Sequence, residues 1–71
     1  MIRQYDAGLR EYFVARSLDS GKWATYYTSR KGTAVRLNSP SVPPRPDQSS
    51  AQKDLDKLAR RRRWRLILVV D

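Results

Sequence analysis

A proline-rich stretch divides this 71-residue chain into two parts that must fold differently. Four of the ten residues from Asn38 to Asp47 are prolines, which cannot donate to a β-ladder and which disrupt the interior of a helix. The stretch predicts an extended connector over residues 38–48, with regular structure on either side. A chain this short forms one small domain at most, so residues 1–71 are expected to share a single core.

The part before the connector has the composition of β-strands. Residues 9–18 and 23–29 are rich in aromatic and β-branched side chains, and residues 34–37 continue the pattern after a second turn signal. Between the first two segments lies Gly21, which can adopt the left-handed conformation that closes a tight loop. These features predict a three-stranded antiparallel meander, with residues 2–5 as a further short edge strand.

The part after the connector predicts one helix of about 13 to 15 residues. Ser49 and Ser50 are candidate N-caps, and Gln52 stands three residues after Ser49, as a capping box requires. An apolar stripe at helical spacing is expected to cover one face of the sheet. Its members are Ala51, Leu55, Leu58 and Ala59, with the aliphatic stem of Arg62 as a further candidate.

An uninterrupted apolar run, from Leu66 to Val70, follows the helix. The lack of alternation favours a strand buried on both faces, inserted beside another strand and packed under the helix. A right-handed crossover would make it parallel to a strand of the meander. The alternative is pairing with the same strand of a second copy, which gives a homodimer. The predicted class is α+β, in the order β-β-β-α-β, with a three-stranded antiparallel meander packed by one helix and a fourth strand at the C-terminus.

The residue inventory argues against an enzyme. The chain has no histidine and no cysteine, so it lacks the usual general acid–base group, a thiolate nucleophile and an ordinary zinc site. We therefore expect a non-enzymatic protein with no cofactor and no metal. The longest apolar run is far shorter than a membrane span, and the first residues lack the apolar stretch of a secretion signal. We expect a cytoplasmic protein without integral membrane association.

Positive charge is concentrated near the C-terminal end. The formal net charge is +8, and residues 60–71 contribute half of it through five arginines and one acid. Such a block attracts a polyanion, with nucleic acid as the first candidate, DNA favoured over RNA, and an acidic membrane surface or an acidic protein as alternatives. Four consecutive arginines, Arg60 to Arg63, exceed what a helix dipole needs and favour contacts to phosphate oxygens.

Aromatic side chains among basic ones favour a second contact surface on the sheet. Strand alternation places Phe13 and Tyr12 on opposite faces, and only one face packs under the helix. The other face is expected to keep aromatic, threonine and arginine side chains that stack on bases or enter a groove, unless the large side chains only fill a core. The candidate nucleic-acid-binding residues are Lys22, Thr25, Tyr27, Arg30, Lys31, Arg36, Arg60, Arg61, Arg63 and Arg65.

The order of elements resembles a known group of DNA-binding domains. The resemblance is carried by a hairpin with Phe13 and Gly21-Lys22-Trp23, a third strand, and a helix that reads Ala51-Gln52-x-x-Leu55-x-x-Leu58-Ala59 and closes at Trp64. This pattern is similar to the three-stranded-sheet-plus-helix domains of phage-type integrases, related to the plant AP2 fold, and to small accessory proteins of phages. It implies a sheet that enters the major groove, with contacts from Lys22, Thr25, Arg30, Lys31 and Arg36. The long connector and the apolar run have no counterpart there.

Two functional hypotheses follow. The first is a small basic nucleic-acid-binding module of phage or mobile-element type. The second is a protein-interaction module, a small inhibitor or adaptor, that binds an acidic protein surface or extends another sheet by edge-strand addition. The position of residues 66–70, inside the sheet or at its edge, distinguishes a self-contained binder from an assembly module.

Overall fold

The computed structural model describes residues 2–29 and 32–70. The elements are β1 Ile2–Asp6, β2 Glu11–Arg16, β3 Trp23–Thr28, β4 Ala34–Arg36, α1 Gln48–Arg62 and β5 Arg65–Val70. The strands form one five-stranded antiparallel sheet in the order β4-β3-β2-β1-β5. The helix α1 contacts β1, β2 and β3. The predicted α+β class, with a meander, a packed helix and a C-terminal strand, is confirmed.

The hairpin of β2 and β3 is continuous over its full length. Its register runs from Glu11 opposite Thr28 to Arg16 opposite Trp23. The loop closes through Gly21, whose φ is 70° and whose N–H donates to the Ser17 carbonyl at 2.9 Å. This tight turn needs a residue in the left-handed region, and glycine adopts that conformation without steric strain because it has no Cβ.

The predictions for the two ends of the chain are wrong in position. β1 was expected at an edge, but it lies between β2 and β5. β5 was expected inside the sheet and parallel to a meander strand, but it is an edge strand antiparallel to β1, with Ile2 opposite Val70 and Asp6 opposite Arg65. The reason lies in β3, whose outer edge is already taken by β4 and the connector, so β5 pairs with the remaining free edge, that of β1.

The connector runs along the outer edge of β3. Arg45 exchanges two backbone hydrogen bonds with Trp23, at 2.7 and 2.8 Å, and the Leu37 N–H donates to the Thr25 carbonyl at 2.9 Å. Val42 is buried, with 3% of its surface exposed. The Arg45 guanidinium then binds the Asp54 carboxylate on α1 at 2.8 Å. The prolines thus direct the chain without removing the hydrogen bonds that this edge of β3 requires.

The N-cap of α1 is Asp47, and the expectation of Ser49 or Ser50 is wrong. An Asp47 carboxylate oxygen accepts from the Ser50 backbone N–H at 2.9 Å, and the Ser50 hydroxyl donates to the other oxygen at 3.0 Å. These hydrogen bonds lower the pKa of Asp47. A carboxylate at this position also interacts favourably with the positive end of the helix dipole.

The core lies between the central strands and the predicted stripe of α1. Tyr5, Tyr12 and Val14 of the sheet meet Ala51, Leu55 and Ala59 of the helix. Trp64, just after the helix, stacks on Tyr12 with ring centroids 4.1 Å apart. The four apolar residues of the predicted stripe, Ala51, Leu55, Leu58 and Ala59, are buried, whereas Arg62, its further candidate, is exposed.

β5 lies beyond the reach of the helix, so its expected burial on both faces is wrong. Every residue from Arg65 to Val70 is exposed. The four gaps between five strands, ~4.8 Å each, make the sheet roughly 19 Å wide. One helix, with a diameter of roughly 10 Å, covers only part of that width.

Replacement of Leu55 by alanine tests this description of the core. Leu55 is fully buried, so Leu55→Ala is expected to lower the free energy of unfolding by about 2–5 kcal/mol. Leu18→Ala is the matched control, since Leu18 is fully exposed in the hairpin loop and its truncation should change stability by less than about 0.5 kcal/mol. Urea titration measures both, and similar losses in the two variants would contradict the assigned core.

Candidate nucleic-acid interface

The helix ends in a Schellman motif that turns the chain into β5. Arg63 has a left-handed φ of 59°, and the Trp64 N–H donates to the Ala59 carbonyl at 2.9 Å. The Arg63 N–H donates to the Arg60 carbonyl at 3.3 Å. Glycine usually occupies this position, and a residue with a side chain costs about 1 kcal/mol there. The sequence thus places an arginine where a glycine would be more stable.

Four arginines, Arg60 to Arg63, are exposed around this helix end, which we call the arginine end. Trp64 separates two of its surfaces. On one side Arg60 lines a cavity with Arg3 and Asp56. On the other side Arg61 and Arg62 line a second cleft. Among the described residues, no ion pair involves any of the four arginines.

The cleft beside Arg61 and Arg62 lies between the helix and the connector and has a volume of about 220 Å³. Its other walls come from Tyr12, Leu37, Ser39, Ser41, Leu58 and Trp64. Hydroxyl and guanidinium groups are common donors to phosphate oxygens in nucleic-acid complexes. The cleft therefore combines suitable donors with an aromatic wall.

The carboxylates at the start and along the middle of α1 are bound by groups outside the arginine end. Asp56 accepts hydrogen bonds from the Arg3 guanidinium and the Tyr5 hydroxyl, both at 2.6 Å. Asp54 binds Arg45, and Asp47 caps the first turn. The carboxylates of the helix thus stabilise its contacts with β1 and the connector, and its last turn keeps an uncompensated positive charge.

Gln52 is a structural residue that sequence reasoning assigned to the wrong role. Its side-chain oxygen accepts from the Arg3 backbone N–H at 3.1 Å, and its amide donates to the Arg3 carbonyl at 3.3 Å and to Asp56 at 3.0 Å. Only 4% of Gln52 is exposed. The sequence signal was its position beside the apolar stripe, four residues before Asp56, where both side chains share one side of a helix.

Tyr5 belongs to the same polar cluster and has a strongly perturbed pKa. Burial, followed by the hydrogen bond to Asp56 and its negative charge, raises the pKa of Tyr5 from 10.0 to about 12. Ionisation of the phenol would place a second negative charge against the Asp56 carboxylate. The phenol of Tyr5 therefore keeps its proton to a higher pH than an exposed tyrosine does.

Two of the predicted sheet contacts lie on the face covered by α1. Thr25 pairs with Val14, and only 1% of it is exposed, so it is not available to a partner. Tyr27 pairs with Tyr12 on the same face, where the Arg10 guanidinium lies 4.5 Å from its ring. The alternation of the strands is as expected, but the helix covers the face that carries these two residues.

The opposite face of the sheet, which we call the open face, carries a different set of side chains. Phe13 and Tyr26 stack there with centroids 6.1 Å apart, and Arg36 lies opposite Tyr26. Glu11 shares this face and reduces its positive charge. The open face is therefore not a strongly basic surface.

The remaining predicted contacts are dispersed. Lys22 is exposed beside the hairpin loop, and Arg65 is exposed at the start of β5 with its guanidinium 3.3 Å from Asp6. Arg30 and Lys31 lie outside the described residues. The structure thus groups Arg60, Arg61 and Arg63 at one helix end and separates them from the candidates on the sheet.

Comparison with known proteins adds no relative. No family model, curated protein or solved structure matches this chain. In the described part of the chain, no group of His, Cys, Asp and Glu residues could hold a metal ion. Over the same residues, no helix is long and apolar enough to cross a membrane.

The Tyr5 cluster predicts a loss of stability at high pH. Because the pKa of Tyr5 is raised from 10.0 to about 12 on folding, the unfolded chain loses this proton first as pH increases. The contribution of Tyr5 to the free energy of unfolding is therefore fully present below pH 10.0 and is lost as pH rises toward about 12. Tyr5→Phe should remove the part of the fall in unfolding free energy with pH that is due to Tyr5, and Asp56→Asn should reduce it.

Urea unfolding at several values between pH 10.0 and about 12 measures the effect. If the free energy of unfolding falls with pH equally in the wild type and in Tyr5→Phe, the assigned role of Tyr5 is contradicted.

Proposed function

We propose that this protein is a non-enzymatic nucleic-acid-binding module, with DNA favoured over RNA, and that the arginine end contacts phosphate. The observation that carries the proposal is the set of four consecutive exposed arginines without a carboxylate partner among the described residues. Two further candidates, Lys22 beside the hairpin loop and Arg36 on the open face, are exposed but lie apart from the arginine end, so we assign them no phosphate contact. Thr25 is buried and has no part in it.

The size of the local charge supports a polyanionic partner. The negative end of a helix dipole is equivalent to roughly half an elementary charge. It can offset only a fraction of the four positive charges at the arginine end. A duplex would release condensed counterions on meeting these guanidinium groups, which provides affinity without any specific base contact.

The shape of the arginine end suggests how a strand would lie. Arg61 and Arg62 flank the cleft that also contains Ser39 and Ser41, so phosphate oxygens there would meet guanidinium and hydroxyl donors together. Trp64 is stacked on Tyr12 and forms a wall of the cleft. In this proposal the backbone of the nucleic acid is held, and sequence readout is small.

The arginine end predicts a steep salt dependence. Log affinity for duplex DNA should fall linearly with log salt concentration, and each phosphate contact removed should flatten the slope by about 0.9. The variant R60Q/R61Q/R62Q should therefore lose up to about 2.7 units of slope. Fluorescence anisotropy with a labelled duplex across a salt series measures this quantity.

The charge-matched control is K22Q/R36Q/K53Q, which removes three exposed charges away from the arginine end. Its slope should change much less. An equal loss of salt slope in the two triple variants would refute a localised phosphate site. A wild type that does not bind duplex or single strands at low salt would refute the proposed function.

Arg63→Gly distinguishes an effect on nucleic-acid binding from an effect on stability. Because Arg63 is left-handed, glycine there should raise the free energy of unfolding by up to about 1 kcal/mol while it removes one positive charge. Weaker binding by a more stable protein is expected. Unchanged affinity would remove Arg63 from the interface.

Assembly by strand addition is a second candidate function. It has its own observation in the exposed edge of β5.

A further inference from the structure

β5 presents an unpaired apolar edge to solvent. One side of the strand pairs with β1, and the other side has no neighbour in the described sheet. All five aliphatic residues from Leu66 to Val70 are between 38% and 48% exposed. Ile67 has no partner on β1, because the register shifts between Gln4 and Tyr5. An edge of this length and composition favours pairing with another strand.

The opposite edge of the sheet is protected in ways that β5 is not. β4 is only three residues long, and the connector pairs Arg45 with Trp23 beyond its end. Short edge strands, charges and prolines are common protections against edge pairing. From Leu66 to Val70 the sequence contains neither a charge nor a proline.

We propose that a second copy of this chain pairs with β5, antiparallel and about a two-fold axis, to form one continuous ten-stranded sheet from two five-stranded ones. The sequence is self-complementary in this arrangement. With the axis at Leu68, aliphatic residues oppose aliphatic residues. The two Arg65 side chains then lie at opposite ends of the strand pair. A parallel pairing would bring the two Arg65 side chains together instead.

The geometry of this pairing keeps both helices on the same face of the joined sheet. A two-fold axis between antiparallel neighbours is perpendicular to the sheet, so it does not exchange the faces. The two arginine ends therefore lie on one face, and the net charge of +8 on each copy opposes the association. One strand pair is smaller than a standard interface, so the expected dissociation constant is micromolar or weaker.

Salt distinguishes this inference from the proposed function. Screening reduces the repulsion between the two copies while the aliphatic contacts remain, so the dimer should strengthen or stay unchanged as salt rises. Binding to nucleic acid should weaken under the same conditions. The dimer does not depend on nucleic-acid binding, and either can fail alone.

Sedimentation equilibrium of the full chain, from about 10 μM to about 1 mM at low and high salt, tests the dimer. The wild type should change from monomer to dimer over this range. Leu68→Lys should abolish the change, because it places two ammonium groups at the axis. Val35→Lys is the matched control on the β4 edge, with similar exposure, and should dimerise like the wild type.

Amide hydrogen exchange of the wild type at low and high concentration adds a measurement that needs no variant. Protection should rise with concentration in β5 and stay constant in β4. A monomer at every concentration, a dimer that survives in Leu68→Lys, or added protection only in β4 would each overturn the inference.

Discussion

The attachment of α1 to β1 by polar groups determines much of this structure. At one side of the apolar stripe, Asp56 accepts hydrogen bonds from the side chains of Arg3 and Tyr5, and Gln52 pairs with the backbone of Arg3. Charge-assisted hydrogen bonds of this kind are directional, whereas the packing of small and aliphatic side chains is less so. The helix is thereby held over the centre of the sheet, and its C-terminal end points the chain toward the free edge of β1.

The same attachment separates the charges of the helix. Its carboxylates are engaged with Arg3, Tyr5 and Arg45, and its last turn carries arginines without such partners in the described structure. The result is a helix with a neutralised first half and a strongly positive end. The proposed contact with phosphate follows from this separation, and the uncovered β5 follows from the limited width of one helix.

Local patterns in the sequence predicted the elements well and their arrangement less well. Short-range patterns are sufficient to predict the loop at Gly21, the stripe through Leu55 and the strand from Leu66 to Val70. The position of β5 depends on which sheet edge remains free, and this is decided by the backbone pairing of Arg45 with Trp23. Thr25 was placed among the candidate contacts because alternation defines two faces of a strand without specifying which one the helix covers.

Contact between the arginine end and a nucleic acid can be followed residue by residue in a nuclear magnetic resonance titration. A short DNA duplex is added to isotope-labelled protein, and backbone amide and arginine side-chain signals are followed. If the arginine end binds phosphate, the largest shifts occur at Arg60 to Trp64, with smaller changes at Phe13 and Tyr26. The largest shifts on the open face, or no shifts at low salt, would contradict it.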